Sequence, residues 1–326
     1  ALKSGFRKKE VVDLKVGDVD FGERTISVIG KGGKAAVIPL SDELRKLLTD
    51  EVSFEVDSIL PDGHVTLTRK GGVIPSAWEG QPAMLVFDPD ASGNTNEALR
   101  GVFVPRETAR SKAPPRLLAW FGLDAAGLTA RGVKTGAAVL GLKRAARLAG
   151  TRVTGRSSDD RTGSTALVLA ARKIDPTTLN HKVILVWTTG EEGGLLGARA
   201  FAARSGAGLR RVYAIDTFVS SDTPLEQPTF AYAPLGKGAV LRGLDDGSIA
   251  PRAERDRVMR IAKANNIPLQ VGTTHGSTDG SAVGAYGAPN LGISWPGRYS
   301  HTPGEVLDLR DVDALTRLIA ALAIAP

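Results

Sequence analysis

The chain has 326 residues, 42% hydrophobic and 24% charged, with 42 Lys and Arg against 35 Asp and Glu and no Cys. That balance excludes a disordered chain, a collagen-like or coiled-coil rod and a membrane span, and the length fits two domains or one large α/β unit. Zero Cys removes disulfides, thiolate metal sites, iron–sulfur clusters and cysteine nucleophiles together, so any metal must be held by carboxylates and the four His. The net charge of +7 raises the question of nucleic acid. Its basic residues crowd between Arg100 and Arg156 with no aromatics interleaved beyond Trp120 and Phe121, so a solvated face is the better reading. The opening residues, Ala1-Leu-Lys-Ser-Gly-Phe-Arg, carry neither Met nor a charged-then-apolar signal pattern; a cytoplasmic protein, with its natural start further upstream, is expected.

In chain order, the β-branched runs from Val11 to Leu40 around Gly30-Lys-Gly-Gly read as a hairpin, and Ser41 to Leu48 as the start of a helix. From Val52 to about Gly155, short strands broken by Pro61-Asp-Gly, Lys70-Gly-Gly and Ser92-Gly-Asn read as a β-rich module. After Arg156, apolar strands alternate with amphipathic helices, the pattern of a largely parallel sheet. Helices are expected over Ser164–Lys173, Gly194–Arg204, Arg252–Ala264, Asp279–Tyr286 and Asp311–Ile324, and strands over Val183–Thr188, Val212–Ile215, Leu269–Thr273 and Asn290–Trp295.

Ligands of open α/β sheets bind beyond the carboxyl ends of the strands. Asp159-Asp160, Glu191-Glu192, Asp216 and His301 all fall at such places, an oxygen-and-nitrogen set suited to zinc, cobalt or manganese. Taken singly, each acidic pair also reads as capping of a helix N-terminus, Asp216 as a turn residue and His301 as an ordinary histidine. Their convergence on one sheet edge points to a site.

The chain from Asp50 onward resembles peptidase family 42, the metallo-aminopeptidases that include tetrahedral dodecameric enzymes and glutamyl aminopeptidases. Seven segments carry the resemblance in order: Gly155-Arg-Ser-Ser-Asp-Asp-Arg-Thr-Gly, Thr188-Thr-Gly-Glu-Glu-Gly-Gly-Leu-Leu-Gly-Ala, Ala214-Ile-Asp-Thr with Asp222-Thr-Pro, Leu235-Gly-Lys-Gly, Asn266-Ile-Pro-Leu-Gln, Ser277-Thr-Asp-Gly, and Arg298-Tyr-Ser-His-Thr-Pro-Gly-Glu-Val-Leu-Asp-Leu. The resemblance implies a zinc-exopeptidase type of α/β fold, a mixed, largely parallel sheet flanked by helices, with a β-rich domain inserted at about 52–155. It implies that Asp159 bridges two ions, that Glu192 and His301 complete one site, that Asp216 belongs to the other, that Asp160 supports them from behind, and that Glu191 is the general base. Peptide substrates, a bound zinc or cobalt and a homo-oligomer between dimer and dodecamer follow from the same source, with no membrane or nucleic-acid partner.

One position departs from the pattern. Leu48 stands where the family has a ligand His, which leaves Asp50, its buttress, without a partner; one tightly held ion per chain is expected, and two would mean that His275, or less well His64, has replaced the missing imidazole. Residues 1–48 are instead similar to a stretch of the tyrosine recombinase catalytic domain, through Ala1-Leu-Lys-Ser-Gly-Phe-Arg, Arg24-Thr-Ile-Ser-Val, Gly30-Lys-Gly-Gly-Lys and Val37-Ile-Pro-Leu-Ser. In that family Arg7 would contact the scissile phosphate and Lys31 would be a proton donor, but no His-x-x-Arg box or tyrosine nucleophile follows, so plain solvated cations are expected there. The sequence therefore reads as a metal-dependent aminopeptidase. The alternatives are an inactive homologue kept as an oligomeric binding or structural protein and, behind it, a recombinase fragment. The N-terminal hairpin is expected to lend edge strands to the catalytic sheet.

Overall fold

A computed structural model describes residues 53–87, 98–106, 116–224 and 231–325, together with three strands before them. Those strands are β1 (Val19–Asp20), β2 (Thr25–Ile29) and β3 (Ala35–Pro39). β2 and β3 pair antiparallel as a hairpin, Thr25 opposite Pro39 and Ile29 opposite Ala35, and β1 adds to β2. They make a sheet of their own, with no ladder to the catalytic sheet among the described residues. Arg7, Lys31, Leu48, Asp50 and the helix expected over Ser41–Leu48 lie outside the described residues.

The module that follows is a closed antiparallel barrel. Its strands are β4 (Ser53–Ile59), β5 (Val65–Lys70), β6 (Pro82–Val86), β7 (Leu99–Phe103), β8 (Leu118–Trp120) and β9 (Ala138–Gly141), in the spatial order β4-β5-β8-β7-β6-β9. Alternate residues point inward, so Phe54, Val56, Val65, Leu67, Ala83, Leu85, Phe103, Ala119 and Val139 form the core. Closure leaves no unpaired edge. Trp78 fills one end, its ring 5.4 Å from those of Phe54 and Phe103. A short helix, α1 (Ala125–Ala130), is capped by Asp124, whose side chain accepts from the Gly127 N–H at 2.8 Å.

Beyond the barrel come β10 (Ala146–Arg147), β11 (Arg152–Gly155), α2 (Ser158–Lys173), α3 (Leu196–Ser205), β12 (Val212–Val219), β13 (Ala239–Leu244), α4 (Arg252–Ala264), β14 (Leu269–Thr273), α5 (Asp279–Gly284), β15 (Asn290–Gly297), β16 (Glu305–Asp308) and α6 (Leu309–Ile324). Four of the strands form a mixed sheet, β12-β15-β13-β14, in which β12/β15 and β13/β14 are parallel and β15/β13 antiparallel. β10, β11 and β16 form a small antiparallel sheet beside it. Every residue of β15 is buried, which requires cover on both faces; α6 and α5 both pack on this strand. The core joins Ala166 and Ala170 of α2, Leu315, Leu318 and Leu322 of α6, and Leu241, Leu291, Ile293 and Trp295 of the sheet.

One expectation is corrected. Val183–Thr188 reads as a buried strand, yet it has no ladder partner among the described residues, and Ile184 and Trp187 are more than 40% exposed. A β-branched run becomes a strand only when another edge accepts its hydrogen bonds, and none does so among the described residues. β13, β10, β11 and β16 are strands that the periodicity did not mark.

Candidate metal centre

The carboxyl ends of β12 and β15 lie side by side, with Asp216 opposite Ser294 in register. Asp216 projects from β12, Trp295 from β15, and His301 from the loop that follows β15. Facing them are Asp159 and Asp160, in the first turn of α2, and Glu191 and Glu192, in the turn that leads to α3. Ser157, Tyr299 and His301 adopt left-handed backbone angles, φ between 53° and 63°, so the loops on both sides of the cluster are held in costly conformations. The Asp159–Asp160 peptide is cis.

Two overlapping groups of donors result. Asp159, Glu192 and His301 each offer one ligand atom, all within 4.8 Å of one another, and Asp159, Asp160 and Asp216 do the same. His301 Nε2 lies 3.4 Å from both Asp159 Oδ2 and Glu192 Oε1. Burial opposes a charge on His301, but the hydrogen bonds and charges of Asp159 and Glu192 raise its pKa to about 11. Burial pushes the Asp159 carboxyl up, yet hydrogen bonds from His301 and Ser300, the latter at 2.6 Å, outweigh it and hold the group below its ordinary value. Asp160 is raised well above the carboxylate range by burial and by the charge of Asp159. Burial raises Asp216 in the same way, with Arg242 opposing. Glu191 reaches about 8 through burial and the charges of Glu192, Asp279 and Asp159. Carboxylates crowded in this way call for cations, and this oxygen-and-imidazole set fits a divalent ion.

Several supporting residues were not visible in the spacing of the motifs. Glu305 is 3% exposed and joins both sides of the site: Oε2 accepts from the N–H groups of Ser158 and Asp159, and Oε1 from the N–H of His301 at 3.1 Å. Trp295 Nε1 and the Gly163 N–H both donate to Asp160 Oδ1, at 2.8 and 3.0 Å. The Thr188 hydroxyl donates to Asp279, tying the turn before Glu191 to the start of α5. The barrel contributes as well. Trp78 Nε1 donates to the His301 carbonyl at 3.3 Å, and a Cβ on Gly72 would lie 2.5 Å from His301 Nδ1.

The structure brings Asp159, Asp160, Glu191, Glu192, Asp216 and His301 together. It does not bring His275, which is exposed and paired with Asp246 at 3.2 Å, nor His64, which is paired with Asp62 at 3.0 Å near Trp120. Neither histidine belongs to a ligand group.

Comparison with known proteins identifies the family. Residues 49–318 match the M42 glutamyl aminopeptidase family, and residues 1–74 match the phage integrase family. The overlap of the two matches includes β4 and β5 of the barrel. The lysyl aminopeptidase of Pyrococcus furiosus is 26% identical over 291 residues, 84% of this chain and 78% of its own. The TET1 peptidase of Pyrococcus horikoshii, which can assemble into a tetrahedron or a large octahedral shell, superposes with a TM-score of 0.73 at 30% identity, over 84% of this chain and 81% of its own. The aminopeptidase APDkam598 of Desulfurococcus kamchatkensis superposes with a TM-score of 0.77 at 26% identity, over 85% and 77% of the two chains. With more than half of its length matched and its fold shared, the chain belongs to the M42 glutamyl aminopeptidase family.

Proposed function

We propose that the chain is a metal-dependent aminopeptidase that releases N-terminal residues from peptides, with zinc or cobalt held by Asp159, Glu192 and His301. The observation that carries the reading is the convergence of these three side chains, from three separate stretches of chain, within 4.8 Å. Three protein ligands leave a fourth position open, the pattern of a catalytic site. A bound divalent ion supplies a Lewis acid for the peptide carbonyl and lowers the pKa of water. Glu191, in the same turn as Glu192 but outside the three-ligand group, takes the proton of the attacking water and returns it to the leaving amine; a pKa raised toward neutrality suits both transfers. Ser300, by donating to Asp159 Oδ2, fixes the carboxylate that both ligand groups share. Assembly into a closed homo-oligomer, like the shells of the TET1 peptidase, belongs to the same proposal.

Turnover of aminoacyl-p-nitroanilides with added cobalt or zinc tests it. Glu191→Gln is expected to lower kcat by at least about a hundredfold while the metal content stays unchanged. Activity that survives the change assigns the base elsewhere. The second reading, an inactive homologue serving as a scaffold, is favoured by Leu48 in the ligand frame. No turnover with any divalent metal, in a metal-loaded and assembled protein, would establish it.

A further inference from the structure

The two ligand groups are not equivalent, because a guanidinium is built in behind one of them. Arg242, on β13, is 5% exposed, and among the described residues it is the one buried Lys or Arg. Its Nε donates to Ser294 Oγ at 3.0 Å, Nη2 donates to the Thr217 carbonyl, and Nη1 faces Asp245 Oδ2 at 3.5 Å. The stem runs over Gly292 of the neighbouring strand, where a Cβ would come within 2.6 Å of Arg242 Cδ; a side chain at that position would close the channel. Both oxygens of Asp216 are engaged on this side. Oδ2 faces Arg242 Nη2 at 3.6 Å, and Oδ1 accepts from the Thr217 N–H at 2.7 Å. The guanidinium thus sets a positive charge directly behind the Asp216 carboxylate.

We propose that Arg242 takes the place of a second metal ion: its guanidinium holds Asp216 as an internal ion pair, and the chain works with one ion, held by Asp159, Glu192 and His301. The inference rests on the metallo-aminopeptidase reading above and narrows its metal site. A divalent ion between Asp159, Asp160 and Asp216 would share the Asp216 carboxylate with a fixed positive charge a few ångströms away in a poorly solvated interior, where like charges repel strongly. The group that includes His301 supplies one imidazole nitrogen and two carboxylates and needs nothing from Asp216. The roles then divide: Arg242 and Asp216 form a permanent electrostatic floor, and the ion sits in the donor group across Asp159. Arg242 is accordingly a positioning residue.

The full-length protein, stripped with chelator and reloaded with zinc or cobalt, should hold one ion per chain by elemental analysis and calorimetric titration. Asp216→Asn should keep that ion with Kd within about threefold of the native value, because Asp216 is not a ligand. Arg242→Met should bind a second ion at least about tenfold more tightly than the native chain does, with spin coupling in the cobalt spectrum, whereas Arg242→Lys, which keeps a charge, should remain at one ion. Should Arg242→Met fail to fold, the Asp216→Asn titration decides the matter alone. Two ions in the native chain, or a tenfold loss of affinity in Asp216→Asn, would overturn the proposal and leave the aminopeptidase reading intact. His301→Ala tests that reading separately: it should lose the ion, and an ion that survives the change overturns both.

Discussion

Glu305 shows how one side chain can set a site it never enters. Three backbone N–H groups from two stretches of chain converge on its carboxylate, so both segments that carry the proposed ligands are referred to one buried point. Burial and the charge of Asp159 raise its pKa to about 7, with the three N–H donors opposing. Glu305→Gln replaces one acceptor oxygen by a donor that faces N–H groups. Metal affinity is expected to fall about tenfold to a hundredfold with a smaller loss of thermal stability, and competition with a chromogenic chelator measures it. The ligand candidates themselves were legible in the sequence, because Asp159, Glu191, Glu192 and Asp216 stand at element boundaries where the hydrophobic pattern stops. Glu305 and Arg242 were not. Glu305 meets Ser158 across 147 residues, and Arg242 meets Ser294 across 52, distances that local spacing does not encode. Leu48 and Asp50 remain with the sequence reading, outside the described residues.

At the scale of elements, α6 depends on its first carboxylate. Asp308 caps the helix, accepting from the Arg310 N–H at 3.0 Å, and is fully buried between Arg310 and the Thr151 hydroxyl. The side-chain hydrogen bond from Arg310 is the main reason that its pKa falls to about 2. A depressed pKa stabilises the fold above the unfolded value near 3.8 and loses that contribution as pH falls through about 2. Asp308→Asn should therefore cost roughly 1–2 kcal/mol at pH 7. The gap from the native chain should narrow between pH 4 and 2, as measured by urea unfolding at each pH. A gap independent of pH would remove the ion pair from the account. Strong amphipathic periodicity made α4 and α6 legible, and α4 spans the expected residues. Val183–Thr188 misled because its composition specifies a strand while its pairing depends on another edge; β13 was missed because glycine and arginine interrupt its apolar run.

For the whole molecule, the barrel and the α/β unit meet at His301. Trp78 donates to its carbonyl, and Gly72 leaves room for its ring, so a residue of the proposed metal centre is seated partly by another module. Gly72→Ala should push the imidazole aside and weaken metal binding at least about tenfold with little effect on barrel stability. Trp78→Phe, which keeps the ring cluster but removes the donor, should act in the same direction and more weakly. Calorimetric titration with zinc reads both, and unchanged affinity in both variants would make the contact incidental. A β-rich module was legible in the sequence from its short strands and frequent turns, but its closure into a barrel and its contact with His301 were not.

The chain enters the barrel on β4 and leaves it on β9, and these two strands are hydrogen-bonded neighbours, with Phe54 opposite Val139. The two crossing points are therefore about one strand spacing, roughly 5 Å, apart. A segment whose ends nearly touch can be replaced by another of quite different length without shifting the register of the sheet outside it. The barrel is thus an exchangeable cassette: a single genetic exchange between the two crossings would refashion the wall beside His301 while Asp159, Glu192 and Asp216 stayed in place.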